Sequence, residues 1–292
     1  MEIVKSPLEM RAAAEGFRRK DLSLGLVPTM GYFHEGHLSL MRRARADCRQ
    51  VVVSLFVNPT QFGPSEDLER YPRDFERDRE LAAAEGVDII FAPAAKDMYP
   101  EGYAAYVDVE RLTDGLCGAR RPGHFRGVAT VVAKLFNICR PTAAYFGQKD
   151  YQQAQIIKRL AADLDFGVEI EILPIVREAD GLAMSSRNKY LSPQERRQAT
   201  CLFRALARAQ GLLSAGETRP AKFVGEMTAV ISAQPSVRVD YAEVVHPREL
   251  TPVTTVEKGA VAAVAAFVNE TRLIDNTILG EEDLRAEVNA LC

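Results

Sequence analysis

Leu24-Gly25-Leu26-Val27-Pro28-Thr29-Met30-Gly31-Tyr32-Phe33-His34-Glu35-Gly36-His37-Leu38 decides how the chain is read. The apolar run from Leu22 to Val27 ends at Pro28, Gly31 supplies a turn, and an amphipathic pattern opens with His37, Leu38 and Met41. Strand, loop and helix N-terminus in that order begin an α/β unit. Positions i and i+3 share a helix face, so the imidazoles of His34 and His37 can address one ligand. A helix N-terminus offers unpaired N–H groups and a positive partial charge, which suits phosphate. The residues alone leave rivals open: the pair can be structural, or can ligate a metal. His-Glu-Gly-His lacks the His-Glu-x-x-His spacing of zincins, and no Cys lies close by. The G-x-G-x-x-G of a dinucleotide site does not follow this strand.

Outward from this stretch, Ser6–Arg19 reads as a helix with Ser6 as N-cap and Pro7 at its first position. His37–Arg49 is a helix, and Val51–Val57 is apolar throughout, as a strand buried on both faces of a parallel sheet should be. That strand opens into Asn58-Pro59-Thr60-Gln61-Phe62-Gly63. A charged helix, Phe75–Glu85, and a buried strand, Val87–Ala92, follow. The order βαβαβ predicts a doubly wound α/β sheet. Ala105–Val109 is a candidate edge strand, Arg120–Gly127 a basic loop and Val128–Cys139 a helix. Strand Ala143–Phe146 ends in Gly147-Gln148-Lys149-Asp150, with Asp150 the expected N-cap of a helix running to Leu164. Val168–Ile175 is a further strand, and Val176–Leu191 a polar loop. The composition then changes. One long helix over Pro193–Ser214, another over Ala221–Ala233, and strands Val237–Val245, Ala260–Val268 and Arg272–Thr277 are expected. The organisation predicted is a Rossmann-like doubly wound domain over 1–176 and a smaller C-terminal α+β domain over 177–292.

Composition narrows the function classes. With 292 residues there is room for two domains. An apolar share of 47% and a charged share of 26% are those of a globular chain with a sizeable core. A net charge of −3 gives no basic footprint, so nucleic acid is not expected as the partner. Cys48, Cys117, Cys139, Cys201 and Cys292 show neither pairing nor metal-ligand spacing, which fits a reducing compartment. No signal peptide and no membrane span are expected, and the localisation predicted is cytoplasmic.

In parallel sheets ligands bind beyond the carboxyl ends of the strands. Met30, His34 and His37 follow the first strand, Asn58 and Gln61 the second, and Gly147–Asp150 a third; the loop with Met184, Ser185, Ser186 and Arg187 follows a fourth. Lys149 and Arg187 can meet phosphate oxygens, and Gln61, Gln152 and Gln155 are neutral hydrogen-bonding groups suited to a small polar acid.

His34-Glu35-Gly36-His37 resembles the HIGH signature of the nucleotidyltransferase superfamily, and Met184-Ser185-Ser186-Arg187 resembles its KMSKS signature. Longer blocks resemble the pantoate–β-alanine ligase family: Pro28–Gly31, Phe56–Pro59 with Gln61-Phe62, Arg121–Gly127, Phe146–Gln153 and Arg177–Asn188. The resemblance implies ATP-dependent condensation of pantoate with β-alanine to pantothenate through a pantoyl adenylate. It implies that Met30, His34, His37, Gly147, Gln148, Lys149, Asp150, Val176, Met184, Ser185, Ser186 and Arg187 line the ATP site. Of these, His34, His37, Lys149, Ser185, Ser186 and Arg187 would act on the phosphates. Asn58, Gln61 and Gln155 would hold pantoate. Mg²⁺ would accompany ATP with no protein ligand assigned, the C-terminal domain would serve as a lid, and the protein would be a homodimer. Two departures stand out. Ser186-Arg187 replaces a lysine-bearing pair of KMSKS, so charge compensation rests more on Lys149 and Arg187. Thr60 stands where the family more often has a larger apolar residue. The alternatives are another nucleotidyltransferase of the superfamily and a non-catalytic nucleotide-binding protein.

Overall fold

The computed structural model describes residues 1–64 and 66–281. These fall into two compact units. The first holds Met1–Thr113, Arg121–Gln148 and Gln153–Pro174; the second holds Asp114–Arg120, Lys149–Gln152 and the chain from Ile175. The two earlier segments that join the second unit carry no composition shift that would announce them. Cys292 lies outside the described residues, and Cys48, Cys117, Cys139 and Cys201 are buried and unpaired with one another.

The first unit is built on six parallel strands in the order β1-β4-β3-β2-β5-β6. They are β1 (Glu2–Val4), β2 (Leu24–Thr29), β3 (Gln50–Leu55), β4 (Ile89–Phe91), β5 (Ala143–Gly147) and β6 (Glu169–Leu173). Leu24–Val27 and Val51–Val53 are buried at consecutive positions, so both sheet faces are covered. Helices α1 (Pro7–Arg19), α2 (Glu35–Asp47), α3 (Phe75–Ala84) and α4 (Ala95–Met98) connect the early strands. Ser6 caps α1 by accepting from Leu8 and Glu9 N–H, with Pro7 in the first turn.

β2 runs two residues past the predicted end, through Pro28 and Thr29, although proline cannot donate to a ladder. Hydrogen bonding explains it. Odd-numbered residues face β3: Phe56 N–H donates to Thr29 O, and Gln50 N–H to Ser23 O. Even-numbered residues face β5, where Thr142 N–H donates to Leu24 O. The β2–β5 pairing covers only Gly25 and Leu26. The missing N–H of Pro28 therefore falls beyond the end of that ladder.

One expected strand is absent and one unexpected strand is present. Ala105–Val109 forms no strand, because Val107 N–H is taken by the Thr130 hydroxyl at 3.0 Å. The strand Glu2–Val4, unannounced in so short a run, pairs with β4 at the sheet edge. The helix expected after Asp150 spans Tyr151–Asp163 and is entered through a 3-10 turn, Gln148–Asp150.

The second unit contains α5 (Leu116–Arg120) and an antiparallel sheet, β7 (Val237–Val245), β8 (Val261–Val268) and β9 (Thr271–Ile278), in that order. The long helices of the chain's middle are α6 (His124–Cys139) and α7 (Tyr151–Asp163). The predicted helix over Pro193–Ser214 is two helices, α8 (Pro193–Ala199) and α9 (Cys201–Ser214), followed by α10 (Pro220–Ser232). Thr200 interrupts it by donating its hydroxyl to Arg197 O at 2.7 Å, the side-chain competition that bends helices at Ser and Thr. Phe203, Leu206, Phe223, Met227 and Ile231 pack with Ala262, Val264 and Ala266 of β8 into one core. The α/β class, with a parallel sheet and a smaller antiparallel one, is as the sequence predicts. Among the described residues no helix is long and apolar enough to cross a membrane.

Candidate active site

The chain leaves β2 toward β3 on one side, and leaves β5 toward β6 on the other. The C-terminal ends of β2 and β5 thus flank the place where strand order reverses, the usual ligand crevice of open parallel sheets. Met30–Phe33 leaves β2 there, and Gly147 and Gln148 leave β5.

His34 is the N-cap of α2, and its Nδ1 accepts from Gly36 N–H at 3.2 Å. His37 reaches back, and its Nδ1 accepts from His34 N–H at 3.3 Å. The imidazole centroids are 4.2 Å apart. An Nδ1 that accepts puts the proton of the neutral ring on Nε2, so each ring is a donor through Nε2. The backbone here differs from the expected open cradle. Gly31, Tyr32, Phe33, His34 and Gly36 N–H groups all have protein acceptors. What this segment offers an anion is therefore imidazole N–H more than backbone N–H.

Asp78, on α3, makes that loop. Its carboxylate is 1% exposed and accepts from Tyr32 N–H at 2.6 Å and Phe33 N–H at 2.7 Å. Gly31 (φ +85) and Tyr32 (φ +56) are both left-handed, the kind of backbone that turns successive N–H groups onto one anion. Arg77 adds a bond to Phe33 O at 2.9 Å. Burial pushes the Asp78 carboxyl upward against the pull of its two N–H donors. Asp88 Oδ2 accepts from Arg45 and from Val51 N–H, each at 2.8 Å.

Asn58 and Gln61 lie on a 3-10 turn, Pro59–Gln61, after β3. Asn58, expected to touch substrate, is instead 1% exposed and saturated inside the protein. Its Oδ1 accepts from Thr60 N–H (3.3 Å), Thr60 Oγ1 (2.9 Å) and Tyr99 O–H (2.9 Å). Its Nδ2 donates to Gly127 O (3.1 Å) and Gln61 Oε1 (3.0 Å). Thr60 is thus a working part of this network. Burial pushes the Tyr99 phenol up to about 12, so it stays a donor. Gln61 turns its Nε2 toward Met30 Sδ at 3.3 Å. The basic loop that sequence reasoning noted without a role holds the backbone of Gln61. His124 Nδ1 lies 2.8 Å from Gln61 O, which fixes the ring proton on Nδ1 and leaves Nε2 to accept from Arg121. Arg121 in turn forks onto Glu66 at 2.7 and 2.6 Å.

Gln155, expected to hold pantoate, is half-buried. On α7 it shares a side with Lys158 and Ala162, both exposed. Gln153 heads the opposite stripe, Ile156 (0%), Ile157 (0%) and Leu160 (2%), yet is itself only half-buried at the start of the helix. Gln152 is committed elsewhere, donating to Gly115 O and accepting from Cys117 N–H, each at 2.9 Å. Helical spacing in the sequence carries this distinction once the buried stripe is identified.

In the second unit, residues 176–184 form a tight hairpin. Arg177 bridges Ala183, Met184 N–H donates to Val176 O at 3.0 Å, and Gly181 turns the chain at φ +85. A Cβ at Gly181 would stand 2.3 Å from the Phe203 ring, so glycine is required twice over. Arg177 forks onto Asp275 of β9 at 2.7 and 3.1 Å, with the carboxylate 1% exposed. Asn188 Nδ2 donates to Glu178 and to Ala183 O, at 2.7 and 3.1 Å. Ser185 caps the 3-10 turn Ser186–Tyr190 by accepting from Arg187 N–H at 3.3 Å; Ser186 is buried, and Met184 and Arg187 are half-buried. Lys149 lies beside Asp150 at 3.9 Å, and its carbonyl accepts from Asn276 Nδ2 at 2.9 Å. Adjacent residues of β9 therefore anchor both the Lys149 turn and the 176–184 hairpin. Sequence reasoning did not find Asp275 or Asn276, because nothing in a β9 read alone marks a partner so far back in the chain.

The first unit offers imidazole donors and the second ammonium, guanidinium and hydroxyl donors, with no Ser–His–Asp or Cys–His nucleophile set among these residues. Residues 2–278 match the family model described as pantoate-beta-alanine ligase. The chain is 56% identical over 283 residues to the pantothenate synthetase of Moorella thermoacetica, covering 97% of this chain and 100% of that protein. It is 54% identical to that of Thermotoga petrophila, covering 96% and 100%. The crystal structure of pantothenate synthetase from Thermus thermophilus superposes with a TM-score of 0.90 at 49% identity, covering 95% of this chain and 99% of that one. A pantoate-beta-alanine ligase from Francisella tularensis, solved in complex with beta-gamma ATP and beta-alanine, gives a TM-score of 0.79 at 32% identity, covering 95% and 97%. With its motifs, its fold and these relatives in agreement over nearly the whole length, the chain belongs to the pantoate–β-alanine ligase family.

Proposed function

We propose that this enzyme joins pantoate to β-alanine in two steps at the expense of ATP. In the first, a pantoate carboxylate oxygen bonds to the α-phosphorus of ATP while the bond to the pyrophosphate oxygen breaks, giving pantoyl adenylate and pyrophosphate. In the second, the unprotonated amine of β-alanine bonds to the acyl carbon. The acyl–oxygen bond breaks and AMP departs, leaving pantothenate. Neither step needs a protein nucleophile. Both need alignment of the reactants and donors for the charge that develops on phosphate oxygens.

The observation that carries the reading is the pair of imidazoles at the switch point. Both have Nδ1 engaged by backbone N–H and so offer Nε2–H donors. His34 and His37 act on the phosphates, together with Lys149, Ser185, Ser186 and Arg187. Met30, Gly147, Gln148, Asp150, Val176 and Met184 line the nucleotide. Gln61 holds pantoate with Gln153 in place of Gln155, because Gln153 alone of the two sits on the inward stripe of α7. Asn58 supports Gln61 from below. Among the described residues no group of three His, Cys, Asp or Glu could hold a metal, and Asp78 and Asp88 are engaged elsewhere. Mg²⁺ comes with the triphosphate, and no step is assigned to a protein-held metal. A cytosolic homodimer completes the reading.

Enzyme, ATP, pantoate and labelled pyrophosphate without β-alanine should exchange label into ATP. If label enters ATP only when β-alanine is also present, the two-step order is wrong.

A further inference from the structure

We infer that Gln61 meets pantoate only as a hydrogen-bond donor, and that Asn58, backed by Tyr99, is the positioning residue that imposes this polarity. The inference rests on the reading of Gln61 as a pantoate ligand. A primary amide can be turned end for end with almost no change of shape, so its neighbours must set its polarity. Here the setting begins at backbone groups whose roles cannot reverse. Thr60 N–H can only donate, and it lies 3.3 Å from Asn58 Oδ1. Gly127 C=O can only accept, and it lies 3.1 Å from Asn58 Nδ2. Gly127 brings that carbonyl close because α6 packs directly on the turn. A Cβ there would stand 2.3 Å from Thr60 O.

The Tyr99 hydroxyl, 2.9 Å from Asn58 Oδ1, adds a third donor to the same oxygen. Turning Asn58 over would set N–H against N–H and C=O against C=O at a side chain 1% exposed, where unsatisfied polar groups are heavily penalised. With Asn58 fixed, its Nδ2 donates to Gln61 Oε1 at 3.0 Å. The oxygen of Gln61 is therefore turned to Asn58, and the nitrogen is the end of the amide presented to substrate. Its nitrogen carries two N–H groups and has a thioether, a weak acceptor, as neighbour. The substrate atom that meets Gln61 must then be an acceptor, a carboxylate or hydroxyl oxygen. An acid carrying an ammonium group at that position would be excluded, since a site built to donate rejects a donor.

The test compares steady-state kinetics for pantoate and for ATP. Gln61→Ala should raise the pantoate KM about tenfold. Gln61→Glu, which still accepts from Asn58 but puts oxygen where nitrogen was, should lose at least as much in pantoate kcat/KM while the ATP KM moves less than about threefold. Asn58→Asp, lacking both N–H groups, frees Gln61 to turn over and should raise the pantoate KM about tenfold with the same sparing of ATP. Tyr99→Phe should act in the same direction by about threefold. Gln61→Glu within about twofold of wild type, with Gln61→Ala impaired, would show that the oxygen is the working end and overturn the inference. An unimpaired Gln61→Ala would overturn the underlying ligand reading and the inference with it. Where Gln61→Glu fails to fold, the Gln61 side-chain NH₂ resonances of the wild type, identified by their loss in Gln61→Ala, decide. They should shift on addition of pantoate, and an unchanged position overturns the proposal.

Discussion

Between Gly31 and His37 the N–H groups of Gly31, His34 and Gly36 are tied by side chains within three residues, whereas the 176–184 hairpin is pinned by Asp275 from far along the chain. His34 and His37 cap their own helix, and Thr29 accepts from Gly31 N–H. Arg177 instead reaches Asp275, 98 residues away, and Asn276 reaches back 127 residues to Lys149. A self-capped helix start is specified locally, and small changes around it should stay local. A hairpin held by a buried ion pair inherits the stability of the sheet that holds it. The two should therefore fail differently.

The largest effect belongs to the ion pair. Asp275→Ala leaves the Arg177 guanidinium buried without its carboxylate, and should cost about 3–5 kcal/mol in urea-induced unfolding. Replacing both partners by apolar residues (Arg177→Met with Asp275→Leu) should restore much of that. A loss below about 1 kcal/mol for Asp275→Ala would show that the hairpin does not depend on β9.

Next comes the carboxylate that ties the first segment from a distance. Asp78→Asn keeps one acceptor for Tyr32 and Phe33 N–H and loses the other with the charge, so a cost of about 2 kcal/mol is expected. The amide resonances of Tyr32 and Phe33 should move upfield while those of β9 stay in place. Movement in β9 as well would blur the contrast between the two segments.

His34 separates cap from chemistry. His34→Ala should cost about 1 kcal/mol through the lost cap and at least about tenfold in adenylate formation. His34→Asn restores a good N-cap without an Nε2 donor, so stability should recover and activity should not. Recovery of both would mean that the ring acts only as a cap. His37→Ala should lose at least about tenfold in the same assay.

These contrasts follow what could be read from the sequence. β2, its loop and α2 were legible because an apolar run, Pro28, Gly31 and the amphipathic onset all lie within one window. The same locality let the two imidazoles be placed on one face. The resemblance supplied Lys149 and Met184–Arg187, but not what anchors them, since Asp275 and Asn276 look like any polar pair in an alternating strand. Asn58 was misplaced for a related reason: an asparagine after a strand reads alike whether it meets a ligand or Thr60, Tyr99 and Gly127. The sides of α7 on which Gln153 and Gln155 sit show only once its buried stripe is known. The break at Thr200 was missed because the apolar period continues across a residue whose hydroxyl bends the helix.

The first unit has one further externally tied piece, and it should give the smallest effect. Glu66 and Arg121, 55 residues apart, form the fork that steadies His124 and hence the carbonyl of Gln61. Burial alone would raise the Glu66 carboxyl, but the Arg121 guanidinium outweighs it and holds the group below its usual 4.5. The folded state thus binds the proton more weakly than the unfolded chain does. The contribution is complete above the unfolded value and is lost as pH falls through the folded one. Glu66→Gln should therefore be less stable than wild type by about 1 kcal/mol at neutral pH, and the two proteins should converge as the solution is taken to acid. Urea midpoints measured across that range check it. If the two curves stay parallel, the pair contributes nothing that depends on its charge, and His124 and Arg121 hold the Gln61 carbonyl without help from Glu66.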